Sequence, residues 1–154
     1  LQVKCLEYLL QGKDVIAVLP TGFGKSLIFH LLPYFLPIKK SNNIVIVVCP
    51  LNSIIEDQLK ILDSRGIAAK VLTKGQENIS ETLFSATPGR QGHAAQGIEH
   101  NKISSDILAG EYSILFAHPE ALLCKEGRQL MTSQVFQDNV TACVIDEAHC
   151  VEIW

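Results

Sequence analysis

Apolar residues along this chain fall into short runs that are separated by longer amphipathic or polar stretches. The runs are rich in Val, Ile and Leu and predict strands at 14–19, 44–49, 68–72, 112–117 and 140–145. Continuous apolar strands that alternate with helical stretches are typical of βαβ units, in which helices cover both faces of a parallel sheet. The pattern therefore predicts an α/β fold with a parallel sheet and helices on both of its faces.

The stretches between the strands predict helices. Ser53 and Glu56 form the capping-box pattern of a helix that ends near Gly66. Its apolar positions fit one buried face and are Ile54, Ile55, Leu59 and Leu62. The other predicted helices are a short one from residue 2 to 12, then 26–36, 98–108 and part of 120–136.

One stretch, 74–97, breaks this alternation. It contains Gly75, Pro88, Gly89, Gly92 and Gly97 among polar residues. Long polar stretches of this composition are typical of loops. We interpret 74–97 as a surface insertion in a domain that otherwise occupies 1–154.

A glycine-rich loop follows the first predicted strand and comes directly before a predicted helix. Its residues are Thr21, Gly22, Phe23, Gly24, Lys25 and Ser26. Gly22 and Gly24 let the backbone turn sharply, so that N–H groups and the helix N-terminus face phosphate oxygens. Lys25 adds a charge for the β/γ-phosphates, and Ser26 offers a hydroxyl to Mg²⁺. The general phosphate-loop pattern has glycine five residues before Gly24, where this chain has Leu19.

Two adjacent carboxylates follow the last predicted strand. Ala142 to Ile145 predicts a buried parallel strand, which places Asp146 at its carboxyl end, where sheets of this kind bind ligands. Asp146 can hold Mg²⁺ through its water shell. Glu147 can orient or deprotonate an attacking water. With the glycine-rich loop, these residues predict a site for a nucleoside triphosphate, ATP, and Mg²⁺.

Composition restricts the class of protein. The chain has 154 residues, 47% of them hydrophobic, which suits one domain with a covered sheet. Its net charge of −3 gives no support for nucleic-acid binding. The five cysteines form no Cys-x-x-Cys pair, which favours reduced, structural thiols over zinc ligands or disulfides. The longest apolar runs are too short to span a membrane, so no membrane association is expected.

Taken together, the motifs resemble those of the RecQ group of superfamily 2 DNA helicases. Pro20 to Ser26 is similar to the phosphate loop of superfamily 2, and Gln2 lies at the spacing of the adenine-recognition segment of the group. The segments 48–58 and 114–122 resemble two further motifs of the group. The most specific similarity is Asp-Glu-Ala-His-Cys-Val-x-x-Trp, from Asp146 to Trp154.

This resemblance implies a P-loop NTPase (RecA-like) three-layer sandwich, the helicase ATP-binding domain or first lobe, which stops after the Asp-Glu-Ala-His motif. It implies that Gln2 recognises adenine, that Lys25, Glu147 and His149 act in catalysis, and that single-stranded or partly duplex DNA is bound. The residues implied to contact nucleic acid are Pro50, Leu51, Asn52, Ser53 and Trp154. An amide suits adenine because it has one donor and one acceptor for the amino group and N7.

The group's function would be ATP-driven 3′-5′ translocation and DNA unwinding in repair or recombination. It would take place in the nucleus, or in the cytoplasm of a prokaryote. In the group, ATP lies between two RecA-like lobes, and the second lobe supplies arginines. Arg65, Arg90 and Arg128 do not resemble such arginines. We therefore expect this chain alone to bind nucleotide weakly and to hydrolyse it very slowly.

Two departures from the group and several alternatives remain open. Glu152-Ile153 replaces Ser-Gln, and His118 replaces Thr before Pro-Glu. His118 is expected to be structural or on the surface, His149 could simply end a strand, and Trp154 could pack on the surface. The alternative functions are an ATP-binding module without catalytic activity, another superfamily 2 (RNA) helicase, and a small-molecule kinase.

Overall fold

A computed structural model describes residues 1–20, 22–37, 43–72, 106 and 109–153. Its elements, in chain order, are α1 (Gln2–Leu10), α2 (Lys25–Phe35), β1 (Ile44–Val48), α3 (Asn52–Ser64), β2 (Ala69–Leu72), β3 (Ile114–Ala117), α4 (Pro119–Leu123), α5 (Lys125–Thr132), α6 (Gln134–Asn139), β4 (Val140–Ile145) and a 3-10 helix (Ala148–Ile153).

The described strands form one parallel sheet. Its order is β2-β3-β1-β4, so β1 is central and pairs with both β3 and β4. All five residues of β1 are buried, as expected for a strand covered on both faces. Because these strands are parallel, their carboxyl ends lie at one edge of the sheet.

Successive residues of β1 point to opposite faces, and each face is covered by helices. Val45 and Val47 share a core with α2 and α3, together with partly buried residues of α1. Ile44 and Ile46 share the other core with α4, α5 and α6. The layers are therefore helix, sheet and helix, which confirms the predicted α/β fold with helices on both faces.

Four of the predicted strands are confirmed, but the one at 14–19 is wrong. These residues form no strand, and Ile16 and Val18 are 95% and 90% exposed. A strand forms only where its backbone pairs with a neighbour, and no described strand pairs with this segment. The apolar pattern alone could not supply that partner.

Further predictions need correction. β4 is parallel, but it is not fully buried, because it lies at the edge of the sheet and Ile145 is 51% exposed. α3 begins at Asn52 with Leu51 as its N-cap and no capping side chain, so the predicted Ser53 capping box does not form. The single helix expected within 120–136 is split into α4, α5 and α6.

The remaining predictions concern the helices and the membrane. α1, α2 and the end of α3 near Gly66 agree with the predicted bounds within one or two residues. The insertion at 74–97 and nearly all of the helix at 98–108 lie outside the described residues. Within the described part of the chain, no helix combines the length and apolar character needed to cross a membrane.

Candidate nucleotide-binding site

The register of the sheet aligns the ends of three strands. Val48 at the end of β1 is paired with Ala117 in β3 and with Ile145 in β4. Because the strands are parallel, the residues that follow them meet at one edge of the sheet. This edge carries Asp146 and the loops that begin at Cys49 and His118.

The glycine-rich loop adopts backbone conformations that favour glycine. Gly22 has φ 82° and Gly24 has φ 74°, both in the left-handed region. Gly24 is also the N-cap of α2, and no side chain caps this helix. The first N–H groups of α2 therefore remain available for phosphate oxygens.

Gln2 contacts this loop directly. Its side-chain Nε2 donates to the carbonyl oxygen of Phe23 at 2.6 Å and to that of Gly24 at 3.3 Å. A Cβ on residue 24 would lie 2.6 Å from the same Nε2. The Gln2 amide, which is predicted to recognise adenine, thus contacts the glycine-rich loop. This loop leads directly into α2.

Lys25 and Glu147 come together across the site. Lys25 Nζ lies 3.8 Å from Glu147 Oε1, and His149 Nδ1 lies 3.3 Å from Glu147 Oε2. Residues more than a hundred positions apart in the sequence therefore form one chain of contacts. The three residues predicted to act in catalysis are neighbours in the structure.

Asp146 is held by the backbone around it. Its N–H continues the sheet by donating to Val48 O at 2.9 Å, and its Oδ1 accepts from the Glu147 N–H at 3.0 Å. Glu147 has φ 50°, which is uncommon for a residue other than glycine. This turn lets the two adjacent carboxylates take different directions.

The two predicted Mg²⁺ ligands, Asp146 and Ser26, are each adjacent in the sequence to one member of the Lys25–Glu147 pair. Asp146 has a second carboxylate oxygen, and Ser26 stands in the first turn of α2. No group of three or more His, Cys, Asp or Glu side chains suited to a metal occurs in the described ranges. A site with one carboxylate and one hydroxyl suits Mg²⁺, which keeps several waters and binds substrate phosphates.

Cys49 lies beneath the acidic pair. It is fully buried at the end of β1. Burial raises the pKa of the Cys49 thiol, a backbone hydrogen bond at Leu51 lowers it, and the nearby Asp146, Glu147 and Cys150 raise it further. Because the thiol stays protonated, Cys49 is a packing residue, and all five cysteines are free.

The segment predicted to contact nucleic acid lies at the same edge. Leu51 is the N-cap of α3, and Leu51, Asn52 and Ser53 are exposed while Pro50 is partly buried. Asn52 Oδ1 is 2.6 Å from His118 Nε2, so the loops after β1 and β3 are joined. Thr21 and Trp154 lie outside the described residues.

Comparison with known proteins decides the family. The DEAD/DEAH box helicase model matches residues 1–154. This chain belongs to the DEAD/DEAH box helicase family. Its glycine-rich loop and its Asp146-Glu147 pair are the two parts of the site that the sequence motifs predict.

The relatives of this DEAD/DEAH box helicase domain include proteins of the RecQ type. It is 30% identical to the ATP-dependent helicase SGS1 of Saccharomyces cerevisiae, covering 99% of this chain and 9% of that protein. It is 33% identical to the probable ATP-dependent DNA helicase RecS of Bacillus subtilis, covering 99% and 25%. It is 28% identical to the ATP-dependent DNA helicase RecQ of Haemophilus influenzae, covering 99% and 20%. The chain thus spans a quarter or less of these relatives.

Two histidines of this helicase domain have contacts that the sequence did not predict. His118 was expected to be structural or on the surface, but it contacts Asn52 in the predicted nucleic-acid segment. His30 is 3% exposed and bonds to Gln58 and Arg65. Two signals in the sequence could have indicated these contacts. His118 directly follows a predicted strand that is parallel to β1, and His30 is a polar residue on the apolar face of α2.

Proposed function

We propose that this chain is the ATP-binding lobe of an ATP-dependent 3′-5′ DNA helicase. It couples ATP hydrolysis to translocation along DNA and to unwinding, in DNA repair or recombination. Its cofactor is Mg²⁺, and its partners are single-stranded or partly duplex DNA and a second RecA-like lobe of the same protein. Its location is the nucleus, or the cytoplasm in a prokaryote.

The observation that carries this proposal is the approach of Lys25 to Glu147. Lys25 begins α2 and Glu147 follows β4, and their charged atoms are 3.8 Å apart. This separation exceeds an ordinary hydrogen bond, and both side chains are partly exposed, so the pair can separate to admit phosphate oxygens. A cation and a base on opposite sides of one opening suit transfer of a phosphoryl group to water.

Each residue then has a defined task. The N–H groups at the start of α2 and the Lys25 ammonium bind the β- and γ-phosphates. Ser26 and Asp146 would hold Mg²⁺, and the bound ion would neutralise charge on the phosphate oxygens. Glu147 orients the attacking water and accepts its proton, and His149, 3.3 Å away, restricts the direction of the Glu147 carboxylate.

Gln2 supports the assignment of the nucleotide as ATP. Its amide already contacts the glycine-rich loop through Nε2. Its Oε1 can accept from an adenine amino group, and Nε2 can donate to adenine N7 by exchanging one of its two bonds to the loop. Gln2 would then link the identity of the base to the conformation of the phosphate loop.

The contact between the N-terminus of α3 and the loop after β3 supports the assignment of a nucleic-acid partner. The α3 N-terminus has no capping side chain, so its first N–H groups can bind backbone phosphates. Asn52 and His118 add side-chain polar groups beside it. Contacts of this kind do not read base sequence, which suits a protein that moves along a strand.

The arginines support the need for a second lobe. Arg65 contacts His30, and the Nε of Arg128 donates to Leu123 O at 2.7 Å, so both are engaged within this lobe. An arginine that stabilises phosphoryl transfer increases the rate by about 10³ to 10⁵. We therefore expect the isolated lobe to bind Mg-ATP but to turn it over very slowly.

Replacing Glu147 with glutamine tests the assignment. Glu147→Gln keeps the size of the side chain but removes its basic carboxylate. In the full-length protein, we expect DNA-stimulated ATP turnover to fall by roughly 10² to 10⁴. Binding of a fluorescent ATP analogue with Mg²⁺ should remain. Phosphate release and fluorescence titration measure the two quantities.

Glu111→Gln is the matched control, because Glu111 is exposed and comes before β3, at the opposite edge of the sheet. It should change neither turnover nor binding. Unchanged turnover in Glu147→Gln would refute the enzyme assignment. It would favour an ATP-binding module whose partner binding does not depend on hydrolysis.

A further inference from the structure

A buried histidine connects the two helices that begin at the candidate sites. His30 lies in α2 and is only 3% exposed. Its Nε2 is 2.8 Å from Gln58 Oε1 in α3, and its Nδ1 is 3.5 Å from Arg65 Nη1 at the end of α3. Burying a polar ring costs free energy unless its nitrogens are bonded, and here both have partners.

These partners require one form of the imidazole. A guanidinium can only donate, so Nδ1 facing Arg65 has to accept and carries no proton. The proton of the neutral ring is then on Nε2, which donates to Gln58 Oε1. A second proton, on Nδ1, would place an N–H against the donors of Arg65 and would abolish this contact.

The position of His30 gives the bond a possible role beyond packing. It lies about one helical turn after Ser26, which stands in the first turn of α2, the predicted phosphate-binding end. Gln58 lies about two turns after Asn52, which begins α3 in the candidate nucleic-acid segment. Both helices pack on the same face of the sheet. A shift of one helix along the other would break the bond.

We propose that His30 is a positioning residue that, while neutral, couples α2 to α3 and so links nucleotide binding to DNA binding. This inference rests on the proposed function. It adds that the relative position of the two helix N-termini depends on the hydrogen bond between His30 and Gln58. It also adds that protonation of His30 uncouples the two sites.

The surroundings favour the neutral ring. Burial lowers the pKa of His30, and the positive charge of Arg65 lowers it further, while the bond to Gln58 raises it. Gln58 itself is uncharged. The side chains that α1, β1 and β4 place in the core beside α2 are apolar, and the buried Cys49 thiol in the same core is uncharged because burial raises its pKa. Among the described residues, Arg65 is therefore the charged group that acts on this pKa.

The experiment measures coupling between the two ligands in this chain. The affinity for a fluorescent ATP analogue with Mg²⁺ is determined with and without a saturating oligothymidylate. The ratio of the two dissociation constants is the coupling factor. We expect a factor of about 5 or more in the wild type near neutral pH. It should stay constant above about pH 6.5, the ordinary histidine pKa, and fall towards 1 only as the pH drops below that value through the lowered pKa of His30.

Variants separate coupling from packing. His30→Leu fills the space without a hydrogen bond, and its factor should be close to 1 although each ligand still binds. His30→Gln can donate to Gln58 and accept from Arg65 but does not titrate, so its factor should match the wild type and stay constant with pH. Ile28→Val, a buried change on the same helix, is the control and should retain coupling.

Gln58→Met removes the same bond from the partly buried partner, so it serves if His30→Leu fails to fold. The inference is refuted if the wild type binds both ligands with a factor of 1. It is also refuted if the folded bond-deletion variants keep the wild-type factor, or if His30→Gln shows the wild-type pH dependence. A wild-type chain that binds neither ligand would refute the proposed function itself, which the separate dissociation constants reveal.

Discussion

Replacing Gly24 with alanine tests whether Gln2 supports the glycine-rich loop. Gly24 has φ 74°, and an added Cβ would lie 2.6 Å from Gln2 Nε2. The contact is too short to persist. Because this nitrogen is the end of a flexible side chain, we expect Gln2 to move away and to lose its bonds to Phe23 O and Gly24 O.

The expected cost has two parts. A left-handed conformation costs an alanine roughly 1 to 2 kcal/mol. Loss of the exposed Gln2 hydrogen bonds adds about 1 kcal/mol. Gly22 allows the backbone cost to be measured without the Gln2 contact, because its φ is 82° and a Cβ there would meet nothing within 4 Å. Gly22→Ala should therefore show the backbone cost alone.

Urea denaturation of the nucleotide-free chain measures these free energies of unfolding. We expect Gly24→Ala to be less stable than Gly22→Ala by about 1 kcal/mol. In a Gln2→Ala background this difference should disappear, because no side chain is left to displace. The double-mutant cycle isolates the interaction from the backbone strain.

Two results would contradict this reasoning. Equal destabilisation by Gly22→Ala and Gly24→Ala in the wild-type background would mean that the Gln2 contact contributes nothing to stability. An excess cost of Gly24→Ala that persists in the Gln2→Ala background would mean that another group meets the new methyl.

Two further predictions concern the fold. The pKa of His30 is lowered, so the unfolded chain takes up a proton at higher pH than the folded chain, and stability present above about pH 6.5 is lost as the pH falls through the folded pKa. Thermal melts should show this decrease of stability with falling pH. An equal pH dependence in His30→Gln would contradict the prediction. Gly127→Ala should lower the free energy of unfolding in urea by about 3 kcal/mol, although alanine favours helices, because its Cβ would collide with the backbone oxygen of Ala121 and lie 2.7 Å from that of Leu122. A stability equal to the wild type would refute this packing.

The sequence predicted the centre of the fold well and its edges poorly. Ile44 to Val48 is apolar at every position, and it is the strand that the structure buries between two neighbours. The segment 14–19 has a similar pattern but forms no strand, because pairing depends on a partner that the local sequence does not specify. The Ser53 capping box is wrong because Leu51 is the N-cap of α3, two residues before Ser53, so Ser53 lies inside the first turn of the helix.

The residues of the candidate site also fall into two groups, those that the sequence predicted and those that it did not. Lys25 and Glu147 were predicted from motifs whose residue types follow from phosphate chemistry, and the structure brings them together. The contact between His118 and Asn52 depends on the register of β3 against β1, which no spacing in the sequence encodes. The buried His30 required knowledge of which helix faces α2.

The exposed flank of β4 affects how the isolated chain behaves in solution. The outer backbone of residues 141–145 pairs with no described strand, and Ile145 is half-exposed beside it. Such an edge is a template on which a second molecule can add a strand. We therefore expect the isolated chain to self-associate as its concentration rises. The Asp146 N–H faces β1, so the N–H of Cys143, three residues earlier, faces outward, and Cys143→Pro should suppress the association.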